Sequence, residues 1–165
     1  MELLVIRHGI AEPRDAEMDD FDRPLTRKGA VRTQQVAEGL ARIAAQPQVI
    51  LTSPKVRARQ TAAIFGDVFD RPPETRDELA SESPEKILAM LHSVNKARVM
   101  IVGHEPTLGE LVELICTKTT ANGFVDLKKA GGVLLDAPLE RSARPGYGRL
   151  LWAMPPRVLR ALAHK

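Results

Sequence analysis

Three short, uninterrupted apolar runs constrain this chain more than any other feature: Leu3-Leu4-Val5-Ile6, Val49-Ile50-Leu51-Thr52 and Val99-Met100-Ile101-Val102. A strand that is apolar on both faces must be covered on both, which is the condition of a parallel sheet held between two helix layers. The intervening segments carry a helical period instead. After Thr26, a capping residue, Ala30, Val36, Ala37, Leu40, Ile43 and Ala44 recur at steps of three and four as far as Gln46-Pro47. A second helix is predicted from about Lys55 to Phe65. Ser83-Pro84-Glu85 opens a third, running through Ile87, Leu88 and Leu91, and a fourth spans about Thr107 to Cys116. Gly132 to Asp136 and Leu150 to Met154 read as later strands, and a short basic helix near 157–163 ends the chain. Residues 10–24, rich in acids and holding Pro13 and Pro24, read as a loop. The expected fold is α/β: a single three-layer sandwich with a mainly parallel central sheet and helices on both faces, one domain over residues 1–165.

Composition narrows the function. With 165 residues, 44% of them hydrophobic, the chain can bury one ordinary core without disulfides or a structural metal. Its single cysteine, Cys116, sits in an apolar helical stretch and is expected to be a small core residue, not a nucleophile. The N-terminal apolar run is too short and too acidic, with Glu2, for a signal peptide. No run approaches the roughly 20 residues that span a bilayer, so no membrane partner and a cytoplasmic address are expected. A net charge of +3 suits an anionic partner, but an aromatic content of 4% argues against nucleic acid held by base stacking.

In an open α/β sheet, ligands bind beyond the carboxyl ends of the strands. Each apolar run delivers cationic or imidazole groups to that edge: Arg7-His8-Gly9 after the first, Ser53-Pro54 with Arg57 after the second, Gly103-His104 after the third. Two guanidiniums and two imidazoles facing one point suit a phosphoryl group, and Gly9 would let backbone approach its oxygens. The surrounding motifs carry a family resemblance. Arg7-His8-Gly9 directly after the first strand, Ser53-Pro54-Lys55-Val56-Arg57-Ala58-Arg59-Gln60-Thr61-Ala62, and Val102-Gly103-His104-Glu105-Pro106 resemble, in order and spacing, the motifs of the histidine phosphatase superfamily. The short chain, Asp20-Phe21-Asp22-Arg23-Pro24-Leu25-Thr26 and Trp152-Ala153-Met154-Pro155-Pro156-Arg157 are similar to its small bacterial phosphohistidine phosphatase branch.

That resemblance implies His8 as nucleophile, with Arg7, Arg57 and His104 clamping the phosphoryl group. Gly9, Asp20, Arg23, Ser53 and Glu105 make up the expected substrate-binding set, Asp20 and Arg23 at its rim. Asp20, Glu82 and Glu105 are the candidates for a general acid, with a capping role competing at Glu105. Arg59 points to another helix face, and His92 and His164 are expected to be structural or exposed. A neutral imidazole can attack phosphorus and leave a phosphohistidine for water to open, with guanidiniums stabilising the transition state. The two arginines would repel a divalent cation, so no metal and no cofactor are expected. No insertion stands over the site, which favours phosphohistidine on a protein, such as a histidine phosphotransfer domain, met by a monomer. A small phosphate ester with the same chemistry, or a phospho-ligand module without turnover, are the alternatives.

Overall fold

The computed structural model describes residues 1–14, 16–120, 123, 125–138, 146, 148–163 of the chain. Its elements in order are β1 (Glu2–Arg7), α1 (Arg27–Leu40), β2 (Val49–Thr52), α2 (Val56–Phe69), β3 (Pro73–Thr75), a 3-10 turn at Asp77–Ala80, α3 (Pro84–His92), β4 (Arg98–Gly103), α4 (Thr107–Thr117), β5 (Gly132–Asp136), β6 (Arg149–Met154) and α5 (Pro156–Ala163). They form one six-stranded sheet in the order β3-β2-β4-β1-β5-β6. The first four of these strands are mutually parallel, as the apolar runs require, while β5 and β6 are each antiparallel to their neighbour, so the sheet is mixed.

Alternation along the strands divides the apolar residues between two cores. Leu3 and Val5 of β1 pack with Ile87 and Leu91 of α3 and with Leu108, Leu111 and Val112 of α4. Leu4 and Ile6 turn to the other face, against Val36 and Leu40 of α1, Phe65 of α2 and Leu159 of α5. Cys116 is half-buried beside the first core, and burial pushes its thiol up, as befits an unreactive side chain. No helix among the described residues is long and apolar enough to cross a membrane.

Element boundaries depart from the sequence pattern in three places. α1 ends at Leu40 rather than at Gln46, because Arg42 and Ile43 already bond three residues back and tighten the chain into turns. α2 continues four residues past Phe65 and closes at Asp70 in a left-handed conformation, φ 47°. The edge strand β3 has no apolar signal at all: it is three residues long and starts with proline, which only an edge tolerates. His164 lies outside the described residues.

Gly39 supplies a test of the packing. It sits inside α1, where alanine normally gains about 1 kcal/mol over glycine. A Cβ there would be driven into the backbone carbonyl of Leu159 in α5. Gly39→Ala is therefore expected to destabilise the fold by about 2 kcal/mol, read as a lowered urea midpoint. A rise in the midpoint would show that α5 does not seat against α1 at this glycine.

Candidate active site

Strand register assembles the site. Arg7 pairs with Gly103 across β1 and β4, the His8 N–H donates to the Gly103 carbonyl at 3.0 Å, and the Ser53 N–H donates to the Val102 carbonyl at 3.0 Å. The residues that follow β1, β2 and β4 thereby come side by side. The rings of His8 and His104 stand 5.1 Å apart between centroids, tilted by 52°.

His8 is 6% exposed. Its Nδ1 lies 2.7 Å from the Gly9 carbonyl oxygen, which only accepts, so Nδ1 carries the proton and donates. Nε2 is left with its lone pair and receives the Nε–H of Arg57 at 3.3 Å. Burial pushes the His8 imidazole down to about 3, with the charges of Arg57, Arg7 and Lys129 acting in the same direction against the Gly9 hydrogen bond. His104 is likewise driven down to about 2, first by burial and then by His8 and Arg57. Both rings are neutral at neutral pH.

Arg57, on the first turn of α2 and 4% exposed, bridges His8 and the loop ahead of α1. Besides the contact with His8, its Nη1 donates to the Asp20 carbonyl and its Nη2 to Asp20 Oδ2 at 3.0 Å. The same carboxylate meets Arg23 at 2.9 Å, with Lys55 and Arg14 each at 3.5 Å. Burial would raise the Asp20 carboxyl, but the Arg57 hydrogen bond and the surrounding charges outweigh it and hold the group at about 2. In the free protein Asp20 is therefore held ionised among cations: it stands at the rim, and it has no resting proton for a general-acid role.

Gly9 lies in a closely packed corner of the site. Its N–H is taken by Thr61 Oγ1 at 3.0 Å, and Thr61 in turn donates to the Arg57 carbonyl at 2.7 Å. A Cβ at Gly9 would strike Thr33 Oγ1 of α1. Close packing against Thr33 is what calls for a glycine here, while its backbone carbonyl holds His8. Ser53 is fully buried, its Oγ 2.8 Å from His104 Nε2. Glu105 turns toward the backbone N–H of Gly109, in the first turn of α4, a helix without a side-chain cap at Pro106. Burial raises its carboxyl to about 7, with Arg7 opposing and Asp126 adding to the rise. Glu82 is exposed in the turn before α3, and Arg59 is exposed on α2.

Sequence patterns did not disclose the Val125–Gly131 segment, which walls the site beside β1. Arg7 Nη1 donates to the Leu127 carbonyl at 2.7 Å, and the Ala130 N–H reaches the carbonyls of both Arg7 and His8 at 3.1 Å. Thr61 was also missed, although its spacing four residues after Arg57 places both on one helix face.

Buried side-chain polar atoms without a hydrogen-bond partner, among the described residues, are Arg7 Nε, Arg23 Nε, His104 Nδ1 and Glu105 Oε1. All four belong to the residues singled out from sequence. Among the described residues, no group of three or more His, Cys, Asp or Glu side chains could hold a metal ion.

A family model described as "Histidine phosphatase superfamily (branch 1)" matches residues 3–83, which carry the first two of the three motifs. The chain is 28% identical over 166 residues to the phosphohistidine phosphatase SixA of Escherichia coli strain K12, with 94% of each chain covered. It is 43% identical over 136 residues to an uncharacterized protein of Picosynechococcus, covering 79% of this chain and 82% of that one. The chain belongs to the histidine phosphatase superfamily. A solved structure of the protein histidine phosphatase SixA complexed with tungstate superposes with a TM-score of 0.82 at 26% identity, covering 96% of this chain and 99% of that one. As a member of the histidine phosphatase superfamily the chain is supported as a phosphatase, and His104 completes its third motif from beyond the matched stretch.

Proposed function

We propose that the chain, as a single domain and without a cofactor, removes the phosphoryl group from phosphohistidine on a phosphorelay protein through a covalent intermediate on His8. The observation that carries this reading is the state of His8: neutral, with Nδ1–H tied to Gly9 and the Nε2 lone pair beside Arg57. In the first step Nε2 attacks phosphorus, the new N–P bond forms as the substrate's P–N bond breaks, and the departing imidazole takes up a proton from solvent water. In the second, water attacks phosphorus, the His8 N–P bond breaks and inorganic phosphate leaves. Arg7, Arg57, Arg23 and His104 hold the phosphoryl oxygens, where charge is stabilised in the transition state. An imidazole leaving group needs less acid assistance than an alkoxide; Asp20 is held ionised, and Glu105, raised by burial to about 7, is the acid candidate that keeps a proton near neutral pH.

The rim supports a protein substrate. Met18 and Phe21 are exposed at 43% and 41% on the loop that carries Asp20, and Lys128 and Lys129 are exposed on the segment across from it. Exposed apolar side chains beside the site give a protein surface something to bury, which a small ester cannot use. The test compares kcat/KM for a phosphorylated histidine phosphotransfer domain with values for common sugar phosphates. The phosphoprotein should lead by at least roughly tenfold, about 1.4 kcal/mol of transition-state preference. A higher value on a sugar phosphate would assign the same chemistry to small phosphate monoesters.

A further inference from the structure

His104 Nδ1 is buried without a hydrogen-bond partner, and an imidazole nitrogen can hold a phosphoryl oxygen only if it bears the proton. Which nitrogen bears it depends on the partner of the other, Ser53. That serine directly follows β2, is fully buried, and has its backbone N–H tied to the Val102 carbonyl. Its hydroxyl oxygen accepts the Lys55 N–H at 3.3 Å and lies 2.8 Å from His104 Nε2. A hydroxyl has one proton to give and two lone pairs to receive. With Lys55 served by one lone pair, the Ser53 proton still needs an acceptor, and His104 Nε2 is the acceptor the geometry provides. Were Nε2 protonated and donating instead, the hydroxyl proton would be buried without a partner and the ring would turn a lone pair toward the phosphoryl oxygens.

We infer that Ser53 donates its hydroxyl proton to His104 Nε2 and so fixes the Nδ1–H tautomer, making His104 a hydrogen-bond donor to the phosphoryl group. Ser53 is then a positioning residue that never touches substrate. This changes its place from the substrate-binding set expected from sequence, and it explains why a serine deep in the fold stands in a motif devoted to an anion. The inference rests on the reading of His104 as a phosphoryl ligand, and its test separates the two.

Long-range nitrogen-15 correlation spectra of the histidine-labelled protein at neutral pH, with His104 assigned by its loss in His104→Gln, read the tautomer directly. The wild-type protein should show protonated Nδ1 and bare Nε2 at His104. In Ser53→Ala the ring should shift toward the Nε2–H form, and inhibition by inorganic phosphate should weaken about tenfold, the usual worth of one such hydrogen bond. Ser53→Thr, which keeps the hydroxyl, should restore both. A wild-type spectrum with protonated Nε2 overturns the inference whether or not the variants fold, and so does a tautomer unmoved by alanine. A tautomer that switches while phosphate inhibition stays unchanged supports the role of Ser53 and removes His104 from the phosphoryl-binding reading.

Discussion

Replacing His8 by alanine is expected to lower turnover by at least roughly 10³-fold, because a covalent route loses its nucleophile while the rest of the site remains. The fold should survive, since the side chain's hydrogen bonds are to the neighbouring Gly9 carbonyl and to Arg57, which Asp20 also holds. Rapid quenching of the wild-type protein with labelled substrate should trap an acid-labile, base-stable phosphohistidine, absent from His8→Ala. Label on another residue, or full activity in the variant, would remove His8 from the chemistry. The ring's protonation can be followed separately. An ordinary histidine gains its proton near 6.5, whereas burial and neighbouring cations hold His8 near 3 and His104 near 2. In the free protein, the nitrogen resonances of both rings should therefore stay those of neutral imidazole from pH 8 down to about 5. A midpoint near 6.5 at His8 would mean that the ring is solvated and not preset for attack.

Arg57→Lys keeps a positive charge yet should lower kcat/KM by about 10²-fold, the order of loss when one oxyanion donor is removed. The guanidinium uses three nitrogens in three directions: Nε toward His8, Nη1 toward the Asp20 carbonyl and Nη2 toward its carboxylate. A lysine ammonium is a single point on a flexible stem and cannot keep this fan, so it would follow Asp20 away from His8 or abandon it. Steady-state kinetics with the phosphoprotein substrate check the effect. Lysine within about threefold of arginine would show that charge alone matters at this position.

What could be read from sequence follows from how the residues are placed. Arg7, His8, Ser53 and His104 lie within a residue or two of strand ends, and parallel pairing of β1, β2 and β4 leaves little choice about where such residues meet. Apolar runs announce those strands, so this part of the site was legible. Asp20 lies 37 residues from Arg57 on a loop without periodicity. Its loop position suited a rim residue, but its grip on the guanidinium depends on a path that no local pattern encodes. The Val125–Gly131 wall is illegible for the same reason: its contacts with Arg7 and His8 run mainly through backbone carbonyls and amides, which every residue type possesses. At Gly9 the residue type was informative and its purpose was not, since a demand for space looks alike in sequence whether the neighbour is a ligand or Thr33. The antiparallel β5 and β6 were visible as strands, but no local pattern states the direction in which a strand enters the sheet.

The four cations around the Asp20 carboxylate have a consequence for how an anion enters. A cleft of bare guanidiniums would gather any passing anion and bind it more weakly with every increment of salt. Here the resting cleft carries its own counter-ion, covalently part of the chain. On the proposed function, loading a phosphoryl group would be an exchange at Arg57, one negative group taking over from another, with a free energy of capture equal to the difference between two ion pairs. Weak monoanions gain little from such an exchange, while a phosphoryl group with more charge and more acceptor oxygens gains most. On the proposed function, selectivity for phosphate over the salt of its surroundings would then be set in part before the substrate arrives, by a loop aspartate.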